Sequence, residues 1–269
     1  MIPGADYRAT TRGFARAKRG LTYVFYCVFK SVVLIPLLRW LLRPRVEGLC
    51  HVPRTGAAII AGNHLSFCDH FLMPTVIKPR ISFLAKMEYF TVPGLKGRLM
   101  AGFFRAIGAI PVDRSGRQEA QAAVETALDV LRSGRLMGIY PEGTRSHDGR
   151  LYKGKVGVAE MALKAGVPVI PCAMIGTFEV QPTGRRLPRV LPVTIRFGEP
   201  LDFSRYAGMQ EERLILRAVT DEIMYAIRKL SEQEYVDTYA AEAKAKAAVA
   251  AGPERRASGR VAEERRAAA

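Results

Sequence analysis

His64 and Asp69 close the run Asn63-His64-Leu65-Ser66-Phe67-Cys68-Asp69. Within one loop, a carboxylate at that spacing can accept a hydrogen bond from one imidazole nitrogen. Such a bond fixes the tautomer and raises the basicity of the other nitrogen. The pair is then a general base without a serine or cysteine nucleophile of its own. Its natural task is to take the proton of a substrate hydroxyl as that oxygen attacks an acyl carbonyl. A single His beside an Asp is more often structural, so the pair alone does not decide the chemistry. Other chemistries fit less well. A metallo-hydrolase run H-x-H-x-D-H would need histidines where Leu65 and Phe67 stand, and His51 and His147 have no ligand spacing, so no metal is expected. Ser66 lacks a G-x-S-x-G setting, and nothing marks Cys68 as an activated thiol.

Two further loops carry arginine. Asp113-Arg114 follows an apolar run, and so does Tyr140-Pro141-Glu142-Gly143-Thr144-Arg145-Ser146. A guanidinium suits phosphate because its planar fork donates two parallel hydrogen bonds. Gly143 lets the backbone approach a ligand closely. Lys86 ends a third apolar run and can join the two arginines, and Lys153-Gly154 can add charge. Glu142 is placed to orient Arg145 or to bind a substrate hydroxyl. Taken singly, each cation is a solvated surface charge. Together beside His64 they suggest an anion site. No Walker loop and no G-x-G-x-x-G occurs, so nucleotide hydrolysis and dinucleotide binding are not supported.

Positioning these residues requires apolar strands that end where the motifs begin. Residues 57–61, 81–85, 109–112, 136–140, 167–174 and 192–197 read as strands. Residues 69–77, 95–106, 117–133, 155–165 and 209–230 read as helices. The alternation implies an α/β fold, a mainly parallel central sheet flanked by helices. Ligands in such sheets bind beyond the carboxyl ends of the strands, where every motif above falls.

The chain has 269 residues, is 49% hydrophobic and carries a formal net charge of +16, which calls for a polyanionic partner. Residues 1–50 hold nine Lys/Arg against Asp6 and Glu47, a net of +7, beside the apolar run Val24-Phe25-Tyr26-Cys27-Val28-Phe29. That pairing favours anionic membrane lipid over nucleic acid. Lys30, Pro36 and Arg39 interrupt residues 21–42, which makes a poor membrane span. At helical spacing Arg8, Arg12, Arg16, Arg19 and Lys30 share one sector, opposite Phe14, Leu21, Phe25 and Val28. Residues 1–45 are therefore expected to form helices lying in the membrane interface, with a core helix of the soluble domain as the alternative. Residues 46–231 form the α/β domain. Residues 232–269, rich in Ala, Glu, Lys and Arg, are expected to be a low-complexity, disordered tail. The four cysteines form no C-x-x-C pair, and no cleavable signal is evident, in keeping with a cytoplasmic setting.

Four blocks in order resemble the glycerolipid acyltransferases: Gly62-Asn63-His64 with Asp69, Gly108 through Arg114, Tyr140 through Arg145, and Val167 through Pro171. The likeness covers residues 45–205 and is greatest to the bacterial 1-acyl-sn-glycerol-3-phosphate acyltransferases. It implies His64 as catalytic base and Asp69 as its partner. It implies Arg114 and Arg145, with Lys86, as contacts to a glycerol phosphate. Glu142, Gly143 and Thr144 match the E-G block, Asn63 and Ser66 shape the first turn, and Pro171 lies on the acyl-donor side. The implied reaction moves a fatty acyl group from acyl-CoA or acyl-carrier protein to the hydroxyl of lysophosphatidic acid, without a cofactor. The implied setting is the cytoplasmic face of the cell membrane, as a monotopic or peripheral protein. A different acceptor (glycerol 3-phosphate, another lysophospholipid, a glycolipid) and a basic binding module are the competing readings.

Overall fold

The structure, a computed structural model, describes residues 42–112, 116–185 and 187–250, with isolated positions 32, 36 and 40. The interfacial helices expected over residues 1–45 therefore lie almost wholly outside the described residues, as do Arg114 and residues 251–269.

Seven strands form one sheet. They are β1 (Arg45–Glu47), β2 (Ala58–Gly62), β3 (Ile81–Lys86), β4 (Ala109–Val112), β5 (Leu136–Ile139), β7 (Val169–Ile175) and β8 (Thr194–Phe197). A separate strand, β6 (Leu151–Tyr152), pairs in parallel with β9 (Tyr235–Val236). The large sheet runs β1-β8-β7-β2-β5-β3-β4. All its neighbours are parallel except β7 with β8. The chain is α/β with a mainly parallel sheet, as the alternation of elements implies.

The sheet is apolar on both faces because side chains alternate along each strand. In β2, Ala58 and Ile60 join one core and Ile59 and Ala61 the other. The first core is closed by α1 (Asp69–Val76), the short α2 (Glu88–Thr91) and α3 (Gly94–Ala106). The second is closed by α4 (Arg117–Arg132), α5 (Gly157–Ala165) and α7 (Arg213–Ser231). Helix α7 turns Leu216, Val219, Ile223 and Ile227 inward at helical spacing, each contributing ~1.5–3 kcal/mol by burial. A one-turn helix α6 (Thr177–Val180) follows β7.

Several features depart from the sequence expectation, among them the helix expected from residue 209, which starts at Arg213. The helix expected from residue 155 starts at Gly157. Residues 88–91 form a helix of their own, α2, before the expected helix of residues 95–106. The tail expected from residue 232 is anchored at its start. Leu151 N–H donates to the Glu234 carbonyl, Lys153 N–H donates to that of Thr238, and Lys153 Nζ pairs with Asp237 at 2.8 Å. Two β-formers, Tyr235 and Val236, thus complete a ribbon, and the alanine-rich segment after them is helix α8 (Ala240–Ala250).

Candidate active site

Strand β2 lies between β7 and β5, and its carboxyl end delivers Asn63 and His64 to the middle of the sheet edge. Asn63, fully buried, clamps that end to β7. Its Nδ2 donates to the Met174 carbonyl at 3.0 Å, and its Oδ1 accepts the Met174 N–H at 2.7 Å. Nδ2 also meets Gln233 Oε1 at 2.6 Å.

Asp69 opens α1 and points back into the loop before it. Its Oδ2 accepts His64 Nδ1 at 2.9 Å and the N–H groups of Leu65 and Ser66 at 2.8 Å each. The Ser66 hydroxyl accepts Cys68 N–H at 3.2 Å, which tightens the turn. One carboxylate oxygen therefore fixes both the imidazole and the loop that bears it. The ring of His64 stacks on Tyr140, centroids 4.1 Å apart and 14° from coplanar, and meets the edge of His70 at 4.8 Å. Only 8% of the His64 side chain is exposed, and Asp69 is wholly buried. Burial, and then the Asp69 charge, push the Tyr140 hydroxyl well above its ordinary pKa. Burial also raises the Cys68 thiol, whose Sγ lies 3.3 Å from Gln181 Oε1, so Cys68 is a packed thiol.

Glu142 corrects the sequence reading. Where the sequence has it orient Arg145 or bind a substrate hydroxyl, both its carboxylate oxygens are engaged by backbone donors. Its Oε1 accepts His64 N–H at 2.9 Å and its Oε2 accepts Tyr152 N–H at 3.0 Å, in a site 1% exposed. Ser146 N–H returns a bond to the His64 carbonyl at 2.8 Å. The Tyr140–Ser146 loop is therefore a brace for the His64 loop. Gly143 makes its turn at φ 74°, a left-handed conformation that favours glycine.

Burial pushes the Glu142 carboxyl up to about 8, against the pull of its two N–H bonds. The ordinary value is 4.5, so the folded state holds this proton more tightly than the unfolded chain. Its contribution to stability is complete below the unfolded value and is lost as pH rises through about 8. Denaturant unfolding should therefore show stability falling across that window by up to about 1.4 kcal/mol per pH unit. Glu142→Gln should flatten the fall, and an equal slope in the variant would remove Glu142 as its source.

The cations are arranged unequally. Arg145 is half-buried and forms no ion pair with a described residue, and Lys86 is exposed at the end of β3. Lys153 is drawn away from the site to Asp237. Lys155, which sequence reasoning passed over, takes its place. Its N–H donates to the Pro141 carbonyl at 2.8 Å, and its side chain lies against Gly143. In regular extended backbone Lys153 and Lys155 would share one face, so their spacing carried no signal that separates them; the Asp237 partner of Lys153 does. Pro171 is buried inside β7, opposite Ala61 of β2 and packed against Gly198. Thr144 is half-buried beside Arg145. Among the described residues no group of His, Cys, Asp and Glu is placed to hold a metal ion.

A relative from Bacillus subtilis, a 1-acyl-sn-glycerol-3-phosphate acyltransferase, is 30% identical over 186 residues, 68% of this chain and 85% of its own. The chain belongs to the acyltransferase family. The family's sequence profile matches residues 43–175, from just before β1 to the end of β7. Among further relatives, the chloroplast 1-acyl-sn-glycerol-3-phosphate acyltransferase of Arabidopsis thaliana is 31% identical over 140 residues, 52% of this chain and 38% of its own. The match to the Borreliella burgdorferi enzyme of the same name, at 33% identity, covers 49% of this chain and 51% of that one. The chain thus spans about half or less of the length of several curated relatives. The crystal structure of the 1-acyl-sn-glycerophosphate acyltransferase of Thermotoga maritima shares the fold, with a TM-score of 0.56 over 78% of this chain and 95% of that one, at 23% identity. The profile encloses both His64 and Asp69, and it encloses the Glu142 brace and Lys155.

Proposed function

We propose that this chain transfers a fatty acyl group from the thioester of acyl-CoA or acyl-carrier protein to the free hydroxyl of 1-acyl-sn-glycerol 3-phosphate, giving phosphatidic acid. The observation that carries the reading is the 2.9 Å bond from His64 Nδ1 to a buried Asp69 carboxylate. With Nδ1–H donated to Asp69, Nε2 is the basic nitrogen. It takes the acceptor's hydroxyl proton as that oxygen attacks the thioester carbonyl. The tetrahedral oxyanion collapses, the carbon–sulfur bond breaks, and the thiolate leaves with a proton returned from the imidazolium. Asp69 stabilises the imidazolium throughout. No covalent acyl-enzyme is required. Arg145, Lys86 and Lys155 supply positive charge around the same loops, and Arg114 follows β4 in the sequence. They would hold the phosphate so that the hydroxyl meets His64 in one pose. The names of the relatives support the choice of acceptor.

Thiol release from acyl-CoA, with and without lysophosphatidic acid, tests the reading. Release that depends on this acceptor supports it. Release only with glycerol 3-phosphate or another lysolipid would move the reading to that acceptor, and none with any acceptor would leave a binding module. In the same assay Arg145→Ala should raise KM for lysophosphatidic acid by about tenfold to a hundredfold, the loss of a charge-assisted bond. Unchanged kcat and KM would remove Arg145 from the phosphate site.

A further inference from the structure

Helix α3 is apolar on two opposite faces, and among the described residues only one of them is packed against the domain. Gly97, Ala101 and Phe104 are buried against the domain. The other face carries Leu95 and Leu99, one turn apart and 71% and 66% exposed, with Gly102 exposed in line with them. Val92, in the elbow before the helix, is 43% exposed. Arg98 and Arg105, both exposed, border this leucine stripe along one side. The elbow is held rigidly. A side chain at Gly97 would collide with the Val92 carbonyl at 1.8 Å, and Arg105 lies over the ring of Phe90 at 5.6 Å.

Two leucines left in water are an unrelieved cost, and a border of guanidinium groups says what relieves it. That pattern, an apolar stripe flanked by cations on a helix backed by protein, fits the boundary between acyl chains and anionic headgroups. The segment from Glu88 to Ala106 carries Lys96, Arg98 and Arg105 against the single acid Glu88. An acidic protein partner would be met by the charges but not by the leucines at their centre.

We propose that the α2–α3 elbow is a membrane-contact surface of the folded domain, distinct from the N-terminal segment, which presses Leu95 and Leu99 into an anionic lipid surface. The elbow is tied to the catalytic loop by aromatic rings that meet edge-to-face or tilted. Phe67, three residues beyond His64, meets Phe71 at 5.0 Å and Phe104 of α3 at 6.2 Å, and Phe71 meets Phe103 at 5.3 Å. Docking the elbow therefore sets the height of the His64 loop above the lipid surface. Vesicle binding needs no turnover, so this surface is tested apart from the acyl-transfer reading.

The full chain with Trp40→Phe and Leu99→Trp has a single tryptophan, at the stripe. On mixing with vesicles of equimolar phosphatidylglycerol and phosphatidylcholine its emission should shift to the blue. Brominated acyl chains should then quench it. The pair Leu95→Glu and Leu99→Glu should lower vesicle partition by about tenfold or more, with turnover on a monomeric short-chain lysolipid retained. Two results overturn the proposal. One is a tryptophan that lipid does not quench, whether because residues 1–41 cover it or because a second copy does. The other is a glutamate pair that partitions like the parent chain.

Discussion

His64→Ala should lower acceptor-dependent thiol release by about 10²–10⁴-fold, the range supplied by a positioned general base, and leave the fold in place. The fold survives because the loop is held by its backbone. His64 N–H is bound by Glu142 and its carbonyl by Ser146, and neither bond involves the imidazole. Asp69 keeps the N–H groups of Leu65 and Ser66 when Nδ1 is gone. What is lost besides the base is a ring stacked on Tyr140. That loss should reduce unfolding free energy by on the order of 1–3 kcal/mol. The check is turnover together with a denaturant titration on the same sample. A folded variant with near-parental turnover would remove His64 from the chemistry. A variant that does not fold would shift the question to His64→Gln, which fills more of the space and still lacks the basic nitrogen.

The sheet was legible because its central strands are nearly unbroken apolar runs, as strands buried on both faces must be. Ile59 and Ile60 face opposite cores, so no polar residue interrupts them. Strands β1, β6 and β9 were not legible. Each is two or three residues long and forms because a partner strand is already in place, at Thr194–Arg196 for β1 and within the β6–β9 pair. The contact of His64 with Asp69 could be read from spacing alone, since both lie in one loop. The brace could not. Glu142 reaches the His64 N–H across 78 positions, and backbone N–H groups carry no mark in a sequence. Its glutamate looked like a ligand because exposed loop carboxylates usually are solvated, and its burial follows from β6 closing over it. The choice between Lys153 and Lys155 hinged on the same ribbon. Asp237 lies in what reads as tail, yet it captures Lys153 and leaves Lys155 beside Gly143.

Asp69→Asn should cost nearly as much turnover as removal of the base, within the same range of about 10²–10⁴-fold. The reason is electrostatic more than geometric. With its amide oxygen in the place of Oδ2, asparagine still accepts from His64 Nδ1, Leu65 N–H and Ser66 N–H. It meets them without a charge, and charge-assisted bonds are about twice as strong as neutral ones. The imidazolium that forms during transfer then has no buried counter-charge. The amide nitrogen falls where Oδ1 lies, a buried position with no hydrogen-bond partner among the described residues. The opposite rotamer would set an NH2 group against three donors. Either way an unpaired buried donor costs about 1–3 kcal/mol of stability. A stability loss alone leaves turnover of the folded fraction intact, so the two effects separate once activity is scaled to folded protein. The double variant gives the sharper reading. If Asp69 acts only through His64, Asp69→Asn should cost almost no further turnover once His64 is alanine, because groups that work as a unit are strongly non-additive. Two independent losses that multiply would mean that Asp69 serves the loop and not the base.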